Sequence, residues 1–337
     1  MKTAPIKKRR HALHRSSIFW TAIVMTGTFI AGCSTMQSQK SDAMASVRTI
    51  DEVRADAARR PLLASERPIV GLALGGGGLR GYAHVGVLEA LEEAGIDVGI
   101  VVGTSAGAVI GSAYASGRSV ADLKQIAGSL KVSSLTDWRL SMVSLMRGDA
   151  MTQWVSSMTN GVPIESMPRR FGAVATGIDT GESVLIDRGD AGLAIRASAA
   201  VPGAMQPVAS AIGPLVDGGV SSVVPVRFTR AMGADIVVGV DIYCHSPRHN
   251  GTSLFSTIAK VSQTQTCLVS QAEMAEADIL IAPSVVVDDM KDATQRDRAI
   301  QAGYLAMKEA LPRLFALAGK DAKERDKMVA TFQPTQE

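Results

Sequence analysis

The 337-residue chain contains few aromatic residues, which make up 4% of it, and only five histidines and three cysteines. The shortage of aromatic side chains argues against the stacking platforms that bind single-stranded nucleic acid. The histidines form no cluster, and no metal-ligand spacing is present. No lysine follows the glycine run at residues 75–78, which excludes a phosphate-binding P-loop.

The formal net charge of +3 is distributed unevenly along the chain. Residues 1–32 carry six basic side chains and no acidic one, whereas the remaining residues carry 29 basic and 32 acidic side chains. We therefore expect no basic face on the folded part and no nucleic-acid partner. A length of 337 residues could hold one large α/β domain or two ordinary ones, and a hydrophobic content of 46% supports a sizeable core.

The basic start is followed by a short apolar stretch, an order that is typical of a secretory signal. Residues 18–25 and 29–33 are apolar but too short for a bilayer-spanning helix, which needs about 20 residues. Residues 30–33 resemble a bacterial lipobox, which implies cleavage of residues 1–32 and acylation of Cys33, including an acyl chain such as palmitate. An uncleaved anchor helix with an incidental cysteine is the alternative interpretation.

The lipobox also bears on localisation. Ser34 after Cys33, in place of aspartate, resembles lipoproteins that are sorted to an outer membrane. We therefore expect a lipid-anchored protein of the bacterial cell envelope that faces the periplasm, on the outer membrane rather than the inner one.

Composition divides the rest of the chain into three parts. Residues 33–67 are polar and predict a flexible tether, although a helix near residues 50–60 would shorten it. Residues 68–318 carry the domain, and residues 319–337 form a polar C-terminal tail. Cys244 and Cys267 are either paired in a disulfide or separate buried thiols, and the sequence leaves both open.

Ser105 is the residue around which the domain is organised. It lies between Gly103 and Gly107, after an apolar run and before a stretch of small residues. Gly-x-Ser-x-Gly between a strand and a helix predicts a nucleophile elbow, a strained turn that a Cβ would obstruct.

The segment before this elbow completes a βαβ unit. A strand at residues 69–74 leads through the glycine run to a helix at residues 82–94 and then to the strand that ends at Ser105. Both loops are therefore expected at the carboxyl edge of neighbouring parallel strands, where open α/β sheets place their sites.

Downstream patterns predict that the α/β order continues. The predicted elements are strands at residues 172–178, 183–186, 215–216, 236–240 and 279–281, and helices at residues 119–130, 191–199, 256–277 and 294–318. The turn at residues 179–182 predicts a hairpin.

Residues 132–170 show no strand pattern and hold many large apolar side chains. They are either a lid or acyl-chain groove over the site or helices that pack into the core. The residues concerned are Leu135, Trp138, Leu140, Met142, Val143, Leu145, Met146, Met151, Trp154, Val155 and Met158.

A serine hydroxyl needs a base within hydrogen-bond reach before it becomes a nucleophile. One candidate is Asp217, which follows an apolar run and precedes two glycines. The other is a triad in which His245 or His249, in a polar loop after a strand, serves as the base. His84, on the helix after the glycine run, is interpreted as a packing residue.

Four segments together resemble the patatin-like phospholipases. They are residues 76–81, 103–107, 197–202 and 217–219, and they occur in the family's order within residues 68–318. The resemblance implies an α/β three-layer sandwich with a mainly parallel central sheet, a Ser/Asp dyad of Ser105 and Asp217, and no cofactor or metal.

The resemblance also implies the roles of the remaining motif residues. The oxyanion hole would come from the N–H groups of Gly76, Gly77 and Gly78, with Arg80 near that loop. The other motif glycines are Gly81, Gly103, Gly107, Gly218 and Gly219. The implied activity is a carboxylic ester hydrolase that acts on a phospholipid or another acyl ester beside a membrane.

Two rival interpretations concern the same glycine run. The Gly-x-Gly-x-x-Gly pattern of dinucleotide-binding proteins is also satisfied, by Gly76, Gly78 and Gly81. However, that fold requires an acidic residue at the end of the second strand, where this chain has Gly103-Thr104-Ser105. A lipid-binding lipoprotein without catalysis would not need the serine, the aspartate and the glycines together.

Overall fold

A computed structural model of the chain describes residues 46–59, 68–131, 135, 137, 144–247 and 252–319, and for Phe255 it describes the backbone alone. The predicted signal peptide, Cys33, His249 and the tail from residue 320 lie outside these residues. So do Trp138, Leu140, Met142 and Val143 of the predicted groove.

The domain is built on a seven-stranded sheet whose main order is β4-β3-β2-β1-β6-β7. Strands β1, β2, β3, β6 and β7 are parallel, whereas β4 and β5 are antiparallel to β3. The sheet is therefore mainly parallel, as predicted. The strands are β1 Val70–Leu74, β2 Val98–Thr104, β3 Arg170–Gly177, β4 Ser183–Ile186, β5 Leu215–Asp217, β6 Ile236–Val240 and β7 Ile279–Ile281.

Helices cover both faces of this sheet, because alternate strand residues are apolar on both sides. One face, with Leu72 and Leu74, packs against α2 to α6 and α9. The other, with Ala73 and Ile100, packs against α1, α7 and α8. The predicted three-layer sandwich is confirmed. The helices are α1 Ile50–Arg59, α2 Tyr82–Glu93, α3 Ala106–Ala115, α4 Val120–Ser129, α5 Asp149–Met158, α6 Ala191–Ser198, α7 Val226–Ala231, α8 Leu254–Met274 and α9 Ala293–Leu317.

Residues 46–59 belong to the folded domain, so the prediction of a flexible tether over residues 33–67 is wrong for this part. Arg48 exchanges two backbone hydrogen bonds with Leu185, of 2.9 and 2.8 Å, alongside β4. Its guanidinium pairs with Asp56 at 3.0 Å and also with Asp187. Val53 on α1 is 1% exposed. The segment is docked because it pairs its backbone groups and buries an apolar side chain.

Local signals in the sequence correspond closely to these elements. Ser119 caps α4 in a capping box with Asp122, as the N-cap prediction requires. Strands β3 and β4 form the predicted hairpin. Element ends differ from the predicted ones by a few residues, the ordinary uncertainty of helix and strand ends.

The question left open for the cysteines is answered by the structure. Cys244 and Cys267 form a disulfide across a Cα–Cα distance of 5.4 Å. The bond joins the loop after β6 to α8. Within the described part of the chain, no helix combines the length and the apolar character needed to cross a bilayer.

Candidate active site

Ser105 stands at the junction between β2 and α3 in the strained conformation that the motif predicts. Its φ of 51° and ψ of −118° are rare for a residue with a side chain. A Cβ on Gly103 would lie 2.4 Å from the nitrogen of Ala108, and one on Gly107 would lie 2.0 Å from the carbonyl oxygen of Leu74. The turn can form because both positions are glycine.

Strand pairing brings Asp217 to this turn. Thr104, at the end of β2, pairs with Val174 of β3, and Asp217 of β5 pairs with the next β3 residue, Ala175. Because β4 occupies the opposite edge of β3, β2 and β5 lie end to end along the same edge. Ser105 and Asp217 border the same cavity, and the Ser105 hydroxyl lowers the pKa of the Asp217 carboxyl group.

Asp217 is 7% exposed, and this burial raises the pKa of its carboxyl group to about 6. The Ser105 hydroxyl and the Gly219 N–H, which donates to Asp217 Oδ1 at 2.7 Å, oppose the rise. The effect of desolvation is larger, because the low-dielectric surroundings disfavour the charged form more than these two groups stabilise it. Asp217 is therefore a stronger base than an ordinary aspartate.

Hydroxyl side chains hold the two backbones in place, and sequence reasoning gave them no role. Ser198 Oγ accepts the N–H of Ser105 at 2.9 Å and donates to the carbonyl of Val174 at 2.6 Å. Thr176 Oγ1 donates to the carbonyl of Asp217 at 3.1 Å. Ser198 lies in one of the segments that carried the family resemblance, which was the available signal.

Close packing also accounts for two further motif glycines. A Cβ on Gly218 would lie 2.2 Å from the carbonyl oxygen of Val174, and one on Gly81 would lie 2.9 Å from the Cβ of Ala106. A side chain at Gly218 would therefore push β5 away from β3. One at Gly81 would push the glycine loop away from the serine turn.

The glycine loop faces Ser105, but its three N–H groups are not equivalent. The N–H of Gly76 donates to the carbonyl of Val223 at 2.9 Å, so the expectation that Gly76 donates to an oxyanion is wrong. The N–H groups of Gly77 and Gly78 have no acceptor among the described residues. Both residues line a cavity that Ser105 also borders, which leaves them as the available donors.

Arg80 lies beside this loop, but its guanidinium is directed elsewhere. Nη2 donates to the carbonyl of Pro247 at 3.4 Å, and the guanidinium carbon lies 5.6 Å from the centroid of the Tyr243 ring. Arg80 lines neither cavity beside Ser105. Arg80, which the resemblance groups with the oxyanion-hole residues, therefore supports the loop after β6 and supplies no donor beside Ser105.

The two described candidate histidines occupy different environments. His84 is fully buried, with Nε2 2.8 Å from the carbonyl of Gly75, and burial lowers its pKa to about 4. It is a neutral packing residue, as predicted. His245 is 57% exposed and pairs through Nδ1 with Asp241 at 2.6 Å. It lines neither cavity beside Ser105, so the structure does not assemble the alternative triad through this histidine.

Two cavities meet at Ser105. The larger, of about 320 Å³, is apolar, and the smaller, of about 130 Å³, also contains Asp217. Gly78, Ser105 and Val201 border both. The serine thus lies between an apolar compartment and a polar one.

The predicted apolar region divides between these roles. Leu135, Met146, Met151 and Trp154 line the larger cavity, in agreement with the groove interpretation. Val155 and Met158 are buried in the core, in agreement with the packing interpretation. Leu145 is exposed and takes neither role, and the four residues outside the described chain stay predictions.

The described residues contain no group of three or more histidine, cysteine, aspartate or glutamate side chains arranged to hold a metal ion. The groups that share a cavity with the Ser105 hydroxyl include the Asp217 carboxyl group and the residues of the glycine loop.

Comparisons with known proteins agree with this geometry. The sequence profile of the family "Patatin-like phospholipase" matches residues 72–229. An uncharacterised NTE family protein of Mycobacterium tuberculosis H37Rv is 38% identical over 181 residues, which cover 53% of this chain and 50% of that protein. Lysophospholipase NTE1 of Coccidioides immitis is 28% identical over 301 residues, or 79% of this chain and 19% of that protein.

The chain thus spans about half the length of the mycobacterial relative that it matches. Among solved structures, VipD from Legionella pneumophila superposes with a TM-score of 0.51 at 16% identity, over 74% of this chain and 67% of that one. At this identity, the likeness to VipD concerns the fold alone. Taken with the serine turn, the glycine loop and the sheet that joins them, the profile match shows that residues 72–229 carry a patatin-like phospholipase domain.

Proposed function

We propose that the chain is a serine acyl hydrolase that cleaves lipid acyl esters through Ser105 and Asp217. The observation that carries the proposal is that the strained Ser105 turn and the buried Asp217 carboxyl group, whose pKa burial raises to about 6, border the same cavity. A carboxylate with this pKa accepts a proton more readily than one at the reference value of about 3.9. The match of residues 72–229 to the patatin-like phospholipases supports the same class of chemistry.

In the acylation step, Ser105 Oγ forms a bond to the ester carbonyl carbon while its proton passes to Asp217. The carbonyl oxygen becomes an oxyanion in the tetrahedral intermediate. When the C–O bond to the leaving alcohol breaks, that alcohol takes the proton from Asp217. The products are an acyl-enzyme on Ser105 and a free alcohol, and Asp217 is again a carboxylate.

The oxyanion needs hydrogen-bond donors that are in place before the reaction. The N–H groups of Gly77 and Gly78 are the candidates, since the N–H of Gly76 is already bonded to Val223. Donors of this kind contribute roughly 3 to 4 kcal/mol each to transition-state stabilisation. With an aspartate as the base, much of the rate would come from these donors.

Deacylation repeats the sequence with water. The oxygen of a water molecule attacks the acyl carbon while Asp217 accepts a proton from that water. The proton then passes from Asp217 to Ser105 Oγ as the fatty acid leaves. The larger cavity, with its methionine and aromatic side chains, suits the acyl chain during both steps. Phospholipid or lysophospholipid acyl esters are the proposed substrates, in line with the lysophospholipase among the relatives.

The same proposal covers the N-terminal region, which lies outside the described residues. We propose that Cys33 is lipidated after cleavage of residues 1–32, which would hold the domain in the bacterial envelope on the periplasmic side of the outer membrane. A lipid anchor would keep the domain close to its bilayer substrate.

The proposal is tested by ester and phospholipid hydrolysis with the full chain purified in detergent. Ser105→Ala and Asp217→Asn are expected to lower kcat/KM roughly 10⁴-fold, because each removes a group needed in the transition state. His245→Ala serves as the matched control, since His245 lines neither cavity.

Loss of activity in a folded His245→Ala variant would contradict the dyad and identify an imidazole base. Equal turnover by wild type and Ser105→Ala would contradict hydrolysis at this serine altogether.

A further inference from the structure

We infer that the smaller cavity binds the uncharged, hydroxyl-bearing part of the leaving alcohol, which in a glycerolipid is the glycerol moiety. We infer further that the Cys244–Cys267 disulfide holds the outer wall of this cavity in place. The inference rests on the proposed function, because a leaving alcohol exists only if Ser105 cleaves an ester.

The cavity is suited to a small polar group. Three further residues with hydroxyl side chains line it together with Ser105 and Asp217, namely Tyr243, Ser262 and Thr266. Hydroxyl groups both donate and accept hydrogen bonds, so they can match the hydroxyls of a polyol in several orientations. The apolar cavity on the other side of Ser105 has no comparable set.

The charge of the lining residues favours an uncharged glycerol moiety over the phosphate of a headgroup as the occupant of this cavity. No lysine, arginine or histidine is among the lining residues of this cavity, as far as the structure describes it, and Asp217 is acidic. A phosphate placed there would meet a carboxylate without a facing cation, which is unfavourable in a partly buried site. The Arg80 guanidinium lies over the Tyr243 ring and outside the lining. A charged headgroup would therefore remain outside this cavity.

The two cavities give an ester a defined orientation. With the carbonyl at Ser105, an acyl chain in the apolar cavity directs the leaving oxygen toward the polar one, since the two compartments share Gly78, Ser105 and Val201 as their border. The alcohol side then reaches Tyr243 and Thr266.

The outer wall is made of two chain segments that are cross-linked beside the cavity. Tyr243 precedes Cys244, and Thr266 precedes Cys267, so each half of the disulfide is the chain neighbour of a lining residue. Gln263 of α8 adds a second link, since its Nε2 donates to the carbonyl of Tyr243 at 2.7 Å. Without the disulfide, non-covalent contacts such as the Gln263 hydrogen bond would be all that holds α8 to the loop after β6.

The test compares two esters with the same acyl chain, a monoacylglycerol and a methyl ester, on the full chain in detergent. The measured quantity is the ratio of kcat/KM for the glyceryl ester to that for the methyl ester. Thr266→Trp fills the cavity and is expected to lower this ratio about tenfold or more. Gln265→Trp places the same bulk on a neighbouring, exposed position of α8 and is expected to leave the ratio as in wild type.

Two further measurements address folding and the disulfide. Thr266→Val removes the hydroxyl with little change in volume, and it is expected to lower the ratio severalfold even if the tryptophan variant does not fold. Reduction of the wild type, and separately the double variant Cys244→Ala with Cys267→Ala, should also lower the ratio, because the wall then moves relative to Ser105.

The outcomes distinguish the two proposals. Ser105-dependent hydrolysis with a ratio that none of the Thr266 variants changes would overturn the subsite while the hydrolase stands. An equal fall in Gln265→Trp would overturn it as well. An unchanged ratio after reduction would overturn the role of the disulfide. Absence of Ser105-dependent hydrolysis of either ester by wild type would overturn the proposed function and the inference with it.

Discussion

At the scale of single residues, the site depends on the burial of the Asp217 carboxyl group. Burial raises the pKa of this carboxyl group to about 6, although the Ser105 hydroxyl and the Gly219 N–H lower it. The same burial that makes Asp217 a better base also makes its ionised form less stable. This gives two measurable consequences, one for activity and one for stability.

The first consequence is a pH profile. As the pH falls below about 6, Asp217 becomes protonated and can no longer accept the proton of Ser105. We expect kcat/KM for an uncharged ester to fall about tenfold per pH unit below that point and to be level above it. The profile should be measured between pH 4.5 and 8 in wild type and in His245→Ala. A midpoint near 7 that disappears in His245→Ala would show that imidazole is the base.

The second consequence concerns the free energy of unfolding. Because the folded-state pKa of Asp217 is raised above the unfolded value, stability is lost as the pH rises through about 6. Asp217→Asn removes this charge while keeping an oxygen for the Gly219 N–H, so it should stabilise the fold at pH 7.5 by up to about 3 kcal/mol.

Thermal unfolding of wild type and Asp217→Asn at several pH values measures this effect. The difference in Tm should narrow as the pH falls from 6 toward 4, where the wild-type carboxyl group is increasingly neutral. A variant that is less stable than wild type at pH 7.5 would contradict the account.

At the scale of elements, the site is produced by strands that share one edge of β3. The parallel strand β2 ends at Thr104, and the antiparallel strand β5 continues the same edge to Asp217. The serine and the aspartate are 112 positions apart in the sequence numbering, but Thr104, which precedes Ser105, and Asp217 pair with the successive β3 residues Val174 and Ala175. Their geometry is therefore as rigid as the sheet.

Helix α1 is the element that the sequence analysis placed outside the domain. Val53→Ala removes a buried side chain between α1 and the sheet, which should cost about 1 to 2 kcal/mol and loosen the helix. Hydrogen exchange over residues 50–59 is expected to accelerate relative to wild type. Arg54→Ala, at an exposed position of the same helix, is the matched control.

Exchange as fast in wild type as in Val53→Ala would mean that α1 is not docked in solution. Equal acceleration in both variants would show that the helix responds to any substitution, so that burial of Val53 does not hold it.

At the scale of the whole molecule, docking of residues 46–59 limits how far the domain could move from a lipid on Cys33. Only residues 34–45 would connect the two, and such a segment reaches no more than about 45 Å when fully extended. A tether over residues 33–67 would reach more than twice as far. The domain would thus be held nearer to the bilayer than the composition predicts.

Lipidation itself is tested on the full chain expressed in a bacterium with an outer membrane. We expect wild type in the membrane fraction with a mass that reports cleavage before Cys33 and added acyl chains. Cys33→Ser should lose that mass increase, because the thiol that carries the diacylglycerol is absent. An unmodified wild-type mass, or unchanged processing in Cys33→Ser, would contradict the lipid anchor.

Much of the fold could be predicted because local patterns carry it. Apolar runs predict the buried parallel strands, and the Ser119 cap predicts α4. Gly103 and Gly107 predict the serine turn, since a Cβ at either position would collide with neighbouring backbone. Such features depend on a few adjacent residues, which is why the sequence reports them.

What the sequence by itself determined about this protein is therefore the order of elements, the strained turn at Ser105 and the candidate pair with Asp217. Only the tertiary structure decided which groups are free to act. It showed that the Gly76 N–H is already bonded, that Arg80 is directed to Tyr243 and Pro247, that Cys244 pairs with Cys267, and that residues 46–59 are docked. These outcomes depend on partners distant in the chain, and hydrogen-bond and burial preferences are satisfied only when such partners meet in space.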